Sequence, residues 1–284
     1  MTKKCLLVSP DFPPPLIGGS LVYVSTLVTN TQNSFDILTG FKKNNKDEIT
    51  ESPNKIIRSS FIANSMNPSR FSLIKMYMCF FFLIPAMIFR TSYKVIIANA
   101  GVIGNSILIF LGKLLKIKVI CISYGEELNA PIKSKSVKNH IKRNLIKFFY
   151  KKGSGFIVVC HFCKNLLTDK FGIENDKIDV IASCLSLEKF SENLSISKKK
   201  NSILSVGRLI ERKGFHLLIK SVLRLREKID NLTLTIVGQG PLEKSLAKII
   251  NENNASSFIL LRTEIDDKNL NVDVEIDGGI NFEN

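Results

Sequence analysis

Three loops in this chain put glycines, prolines and cations where they could hold an anionic ligand. The first runs from Ser9 through Asp11, Pro13, Pro14 and Pro15 to Gly18 and Gly19. Prolines stiffen it, and paired glycines let backbone pass close to a ligand where the next helix begins. A helix N-terminus offers unpaired N–H groups to a phosphate or sugar oxygen. Alone, a Gly-Gly pair is more often just a turn. The second loop carries Gly207 and Arg208, then Lys213 and Gly214. Two cations beside a helix start make a clamp for a diphosphate; the plainer reading is exposed surface charge. The third loop is Gly238, Gln239, Gly240 and Pro241. Gly-x-Gly after a strand is a weak phosphate signal by itself, and Pro241 suits a first helical turn.

These loops must be positioned by the elements around them, and those alternate. Strands are expected at 5–9, 35–39, 95–98, 119–123, 156–160 and 177–182. Helices are expected at 20–31, 69–90, 102–116, 134–151 and 161–171. Residues 187–201 are polar and lack sustained periodicity, as a linker does. The alternation then restarts, with strands at 203–206, 232–237 and 258–261 and helices at 214–228 and 242–251. A β-α alternation folds as parallel sheets with helices on both faces. The expected organisation is an N-terminal α/β domain over 1–186, a linker over 187–201, a partial second α/β domain over 202–261 and an atypical tail over 262–284. Designs of this kind bind ligands near the C-terminal strand ends, in the cleft between domains.

Composition is globular, at 45% apolar and 23% charged residues in 284. Six cysteines lie too sparsely for a disulfide framework, so a reducing cytosol is the simplest setting. The apolar run at 5–8 is too short for a signal-peptide core. The net charge of +15 favours an anionic partner without identifying it. From Lys133 to Lys152 there are eight Lys and Arg and no acid. Apolar residues there, including Ile141, Leu145 and Phe148, recur at steps of three and four. An amphipathic helix with a cationic face follows, either simply solvated or lying on a membrane surface. Nucleic acid is disfavoured, because no recognised nucleic-acid module accompanies the patch. Residues 76–89 are an unbroken apolar run of 14 with Pro85 inside. A spanning helix needs about 20 apolar residues, so a buried or interfacial helix is expected.

In order and spacing the three loops resemble those of the family 4 glycosyltransferases, of GT-B fold. That family opens with a Pro-rich Gly-Gly loop, as at Pro13 to Gly19. It follows a later strand with a His-Gly-x-Glu-Leu type segment, which here is Tyr124, Gly125, Glu126, Glu127 and Leu128, with Tyr in place of His. Its second domain opens with Val-Gly-Arg-Leu and Lys-Gly, matched at Val206 to Leu209 and at Lys213 and Gly214, and continues with Val-Gly-x-Gly-Pro, matched at Val237 to Pro241. The usual Asn-Gly-Val-Asp turn before the linker is replaced by Ser183, Cys184, Leu185 and Ser186. The resemblance covers about residues 4–261 and implies two Rossmann-like doubly wound domains, the second incomplete. It implies transfer of a sugar from a nucleoside diphosphate donor with retention, without an obligatory metal or other cofactor. Gly19, Arg208 and Lys213 would hold the donor diphosphate, and Gly18, Tyr124 and Glu126 would face the acceptor or sugar. No catalytic group is assigned. A glycan or lipid-linked acceptor is implied, with the chain in the cytoplasm or on the inner face of the cell membrane. A non-catalytic remnant or a chimeric product, binding membrane or partners through its basic first domain, is the alternative.

The tail departs from this pattern. Glu275 and Glu283 reproduce the family's Glu-x7-Glu spacing, yet too soon after Gly238 for the intervening units. The stretch from Asn271 to Asn281, with Asp277, Gly278 and Gly279, instead resembles the seventh-strand segment of ribulose-phosphate 3-epimerases, where the Asp is a metal-linked acid/base. One strand cannot build an eight-stranded barrel, so a joint near residue 262 is expected. Cys160 and Cys163 have Cys-x-x-Cys spacing and read as a strand-to-helix turn rather than a metal or redox site. His140 and His216 read as structural or solvent-facing.

Overall fold

The computed structural model describes residues 5–12, 19–31, 34–40, 54–62, 70–125, 128, 137–183 and 199–263. The chain divides into two compact units, residues 1–189 and 190–284.

In the first unit, short apolar runs form seven parallel strands: β1 (Cys5–Val8), β2 (Phe35–Gly40), β3 (Lys55–Ser59), β4 (Val95–Ala98), β5 (Lys118–Ser123), β6 (Gly155–Val158) and β7 (Ile178–Val180). Their order is β3-β2-β1-β4-β5-β6-β7, so the direction of progression reverses between β1 and β4. Ligands of doubly wound sheets sit outside the C-terminal strand ends at such a reversal. Successive side chains point to opposite faces of a strand. Accordingly, Leu6 and Val8 enter one buried cluster and Leu7 the other.

Helix α1 (Gly19–Thr29) covers one face with Tyr23, Val24 and Val28. The other face is covered by α2 (Arg70–Thr91), α3 (Gly101–Leu114), α4 (Val137–Tyr150) and α5 (His161–Asn165). Helix α5 widens into a π-helical turn over Leu166–Phe171, which Gly172 closes at φ +66°. Helix α2 is long and apolar enough to cross a membrane by length and composition. Here one stripe of it, Met76, Phe80, Ile84 and Ile88, is packed into the core.

Two buried polar groups tie this unit together. The Tyr93 hydroxyl donates to the Asp36 carboxylate on β2, and burial together with that carboxylate keeps the phenol protonated far above the ordinary tyrosine range. Asn54 accepts from the Phe35 N–H at 3.0 Å and donates to the carbonyls of Val28 and Thr31, both at 2.9 Å. It thereby fastens the end of α1 to the start of β2. We expect Asn54→Ala to lower stability by about 1–3 kcal/mol, because it strands a buried donor and two acceptors. Denaturant midpoints at unchanged m-value measure this.

The second unit holds β8 (Ser202–Val206), α6 (Phe215–Arg226), β9 (Thr233–Val237), α7 (Glu243–Glu252) and β10 (Ile259–Arg262). Its parallel sheet has the order β10-β9-β8. Phe215, Ile219 and Val222 of α6, and Leu246 and Ile250 of α7, bury their three- and four-residue steps against Leu234 and Ile236.

Candidate active site

In the second unit the two signature loops form one platform at the C-terminal ends of β8 and β9. The Gly207 N–H donates to the Val237 carbonyl at 2.9 Å, and the Leu209 N–H to the Gln239 carbonyl at 2.9 Å. The Leu242 N–H returns to the Leu209 carbonyl at 3.1 Å. This approach leaves no room for side chains. A Cβ on Gly238 would lie 1.9 Å from the Gly207 carbonyl oxygen, and one on Gly240 would lie 2.4 Å from the Leu209 oxygen. The glycines read as a weak phosphate signal are therefore needed first to seat one loop on the other.

Arg208 leaves this platform exposed to solvent. Lys213 ends a short 3-10 turn, Glu211–Lys213, just before the helix that the sequence places from 214. Gly214 intervenes at φ +67°, a conformation that favours glycine, and α6 starts after it. The turn folds Lys213 back over the strand end, where its Cε lies 4.0 Å from the position of a Cβ on Gly207. Lys213 and the α6 N-terminus thus lie at the end of β8, and Arg208 belongs to the same loop. Among the described residues no carboxylate pairs with Arg208 or Lys213; the near ion contact is His216 with Glu211 at 3.8 Å. Two unneutralised cations and a helix N-terminus are suited to an anion.

In the first unit, Gly19 is the exposed first residue of α1. A Cβ there would meet nothing within 4 Å, so the protein's own packing does not require glycine. Tyr124, just after β5, is brought to the same place. Its hydroxyl donates to the Ser20 carbonyl at 3.3 Å, and its ring meets Tyr23 edge-on at 5.8 Å. Tyr23 in turn donates to the Ile181 carbonyl at 3.1 Å. The tyrosine that stands where the family has histidine is thus used to join the β5 loop to α1. Tyr124→Phe should cost no more than about 1 kcal/mol, since the bond is exposed and the ring contact survives; urea unfolding checks it. Gly18 and Glu126 lie outside the described residues, as do the tail residues 264–284 with Asp277, Glu275 and Glu283.

Several positioning residues carried no sequence signal. Asn105 is fully buried in α3; it accepts from the Ala100 N–H at 2.9 Å and donates to the Ile122 carbonyl at 3.4 Å. Asn99 donates to Ser9 Oγ at 2.9 Å, linking the ends of β1 and β4. These contacts shape the loops on either side of the topological reversal. Gly125 has φ +94°, and a Cβ on it would lie 2.8 Å from Cys163 Sγ. Cys160 and Cys163 form no disulfide; their sulfurs are in hydrogen-bond contact at 3.4 Å, at the turn into α5 against which Gly125 packs. Among the described residues no group of three His, Cys, Asp or Glu side chains is placed to hold a metal ion.

Comparison with known proteins accords with this geometry. Residues 36–189 match the family described as Glycosyltransferase Family 4, and residues 187–271 match Glycosyl transferases group 1. The second match runs past residue 262, where the sequence alone suggested a joint. An uncharacterized glycosyltransferase of Methanocaldococcus jannaschii is 29% identical over 124 residues, 40% of this chain and 30% of that protein. The N-acetylgalactosamine-N,N'-diacetylbacillosaminyl-diphospho-undecaprenol 4-alpha-N-acetylgalactosaminyltransferase of Campylobacter jejuni is 31% identical over 125 residues, 43% of this chain and 33% of that one. The matched stretch spans about a third of the length of these curated relatives. In fold, the chain is similar to sucrose-phosphate synthase from Thermosynechococcus elongatus, with a TM-score of 0.70 at 18% identity over 93% of this chain and 71% of that one. The apo lipopolysaccharide outer core galactosyltransferase WaaB gives 0.60 at 15% identity, over 92% and 68%. The fold class is that of the GT-B glycosyltransferases.

Proposed function

Because the chain belongs to glycosyltransferase family 4, we propose that it moves a sugar from a nucleoside diphosphate donor to a glycan or lipid-linked acceptor of the cell envelope, with retention. The observation that carries this reading is that Arg208 and Lys213, without carboxylate partners among the described residues, share the loop after β8 that rests on the platform locked by Gly238 and Gly240. As the bond from the anomeric carbon to the diphosphate oxygen breaks, negative charge grows on the diphosphate. Cations fixed at that position stabilise the transition state more than the ground state. No resident metal or cofactor takes part in this reading. Gly19 leaves open space at the start of α1 for the donor phosphate or acceptor to approach. Tyr124 orders the neighbouring loop; Gly18 and Glu126 would complete the acceptor side. The placement that goes with this activity is the cytoplasm, at the inner face of the cell membrane.

The test is incubation of the purified chain with radiolabelled UDP-, GDP- and ADP-sugars and a membrane extract as acceptor. The expected result is label in a lipid- or polysaccharide-bound product that keeps the donor's anomeric configuration. Donor binding without transfer to any acceptor would favour the non-catalytic alternative.

A further inference from the structure

Three helices of the first unit turn apolar side chains to solvent. On α2, opposite its buried stripe, Phe71, Met78, Phe82 and Phe89 are exposed, Phe82 by 70% and Phe89 by 77%. On α3 the exposed residues are Ile103, Phe110 and Leu114, and on α4 they are Ile141, Leu145 and Phe148. Rings connect the three helices: Phe81 to Phe110 at 6.3 Å, Phe110 to Phe149 at 6.0 Å, and Phe149 to Phe148 at 5.5 Å. Single exposed apolar residues are ordinary on a protein surface, whereas a row across three helices marks an interaction surface.

A cavity of about 310 Å³ adjoins this row. Lys113, Lys116, Lys118 and Lys152 line it, with Ser154. The Lys152 ammonium lies 3.9 Å from the centre of the Phe148 ring, so cavity and row are continuous. Among the described residues no carboxylate is paired with any of the four lysines. Four like charges around one cavity repel each other, and an anion entering it relieves that repulsion. The cavity lies at the start of β5, while Tyr124 follows its end. At strand rise, six residues separate the two by about 20 Å, so this cavity is distinct from the candidate active site.

We propose that this face docks on a membrane containing anionic phospholipid, with a lipid phosphate held by Lys113, Lys116, Lys118 and Lys152 and the Phe, Leu, Ile and Met row set into the headgroup–acyl boundary. Basic residues supply attraction to the anionic surface and aliphatic and aromatic side chains supply apolar burial. A free phosphate or a nucleic acid backbone would satisfy the lysines and leave Leu114, Ile141, Leu145 and Met78 in water. The inference rests on the membrane placement proposed above and gives it a contact surface.

The test is flotation of the full chain with vesicles of phosphatidylcholine alone or with added phosphatidylglycerol. The wild type should float with the anionic vesicles and be released by high salt. Lys113→Gln, Lys116→Asn, Lys118→Gln and Lys152→Gln together should weaken binding several hundredfold, at about fivefold per lysine. Asn suits position 116, whose φ is +55°. Phe82→Ser with Phe89→Ser should weaken binding at least tenfold with unchanged melting temperature, since both rings are solvent-exposed. Removing four exposed lysines that do not line the cavity, Lys170, Lys220, Lys228 and Lys244, lowers the net charge equally and should change binding less than about fivefold. If the two four-lysine variants lose binding equally, net charge and not the cavity is responsible, and the inference is overturned while membrane placement stands. No flotation by the wild type, or lysine-dependent binding to duplex nucleic acid in its place, overturns both. Nucleotide-sugar titration reads the transferase proposal separately.

Discussion

Replacing Arg208 by Ala should weaken binding of a nucleoside diphosphate by roughly ten- to a hundredfold, Lys213→Ala should do the same, and the pair together should remove measurable affinity. Each cation is expected to make a charge-assisted hydrogen bond to the diphosphate, worth about 1.5–3 kcal/mol. The two share one ligand, so their effects will not simply add. Neither residue is buried or paired with a carboxylate among the described residues, so the single variants should melt within about 1 °C of wild type. That separation of affinity from stability distinguishes a clamp from surface charge. In turnover, each substitution should lower kcat/KM by about a hundredfold or more, because the charge they meet develops as the bond breaks. Arg208→Lys would keep the charge but lose the planar fork, and should recover only part of the affinity.

The second large effect is on the platform itself. Gly238→Ala places a Cβ 1.9 Å from the Gly207 carbonyl oxygen, which is backbone and cannot swing aside. The β9–α7 loop must lift off the β8 loop, at the expense of the hydrogen bonds from Gly207 and Leu209. We expect a loss of roughly 3–4 kcal/mol, at the high end for one methyl group. The second unit should lose its cooperative transition first, and donor binding should disappear although Arg208 and Lys213 are retained. A Gly238→Ala protein with wild-type melting and wild-type affinity would show that the two loops do not lean on each other. Gly19→Ala is the counterpart: open space there predicts no loss of stability.

Much of this was legible in the sequence. The strand–helix alternation marks both units, and the Gly-Arg, Lys-Gly and Gly-x-Gly positions all fall at C-terminal strand ends of one small sheet. What the sequence hid has physical reasons. Strand β3 was missed because it is a half-exposed edge strand with Lys55 and Arg58 in it, so no apolar run announces it. Asn105, Asn99 and Ser9 work together only because β4 and β5 are neighbours and β1 lies beside β4, an adjacency that periodicity does not encode. Periodicity found the apolar stripe of α4 but not its direction. Ile146 and Tyr150 face the core while Ile141, Leu145 and Phe148 face solvent. The sequence presented Gly238 and Gly240 as ligand contacts, whereas close backbone approach is what first demands them.

The most direct measurement is calorimetric titration of the purified chain with UDP, GDP and ADP and their common sugar conjugates, beside the Arg208→Ala/Lys213→Ala protein. The account predicts saturable one-site binding of at least one of these ligands to the wild type, and no heat of binding with the double variant at the same concentrations. Equal binding by both proteins, or no binding by the folded wild type to any of them, would contradict it.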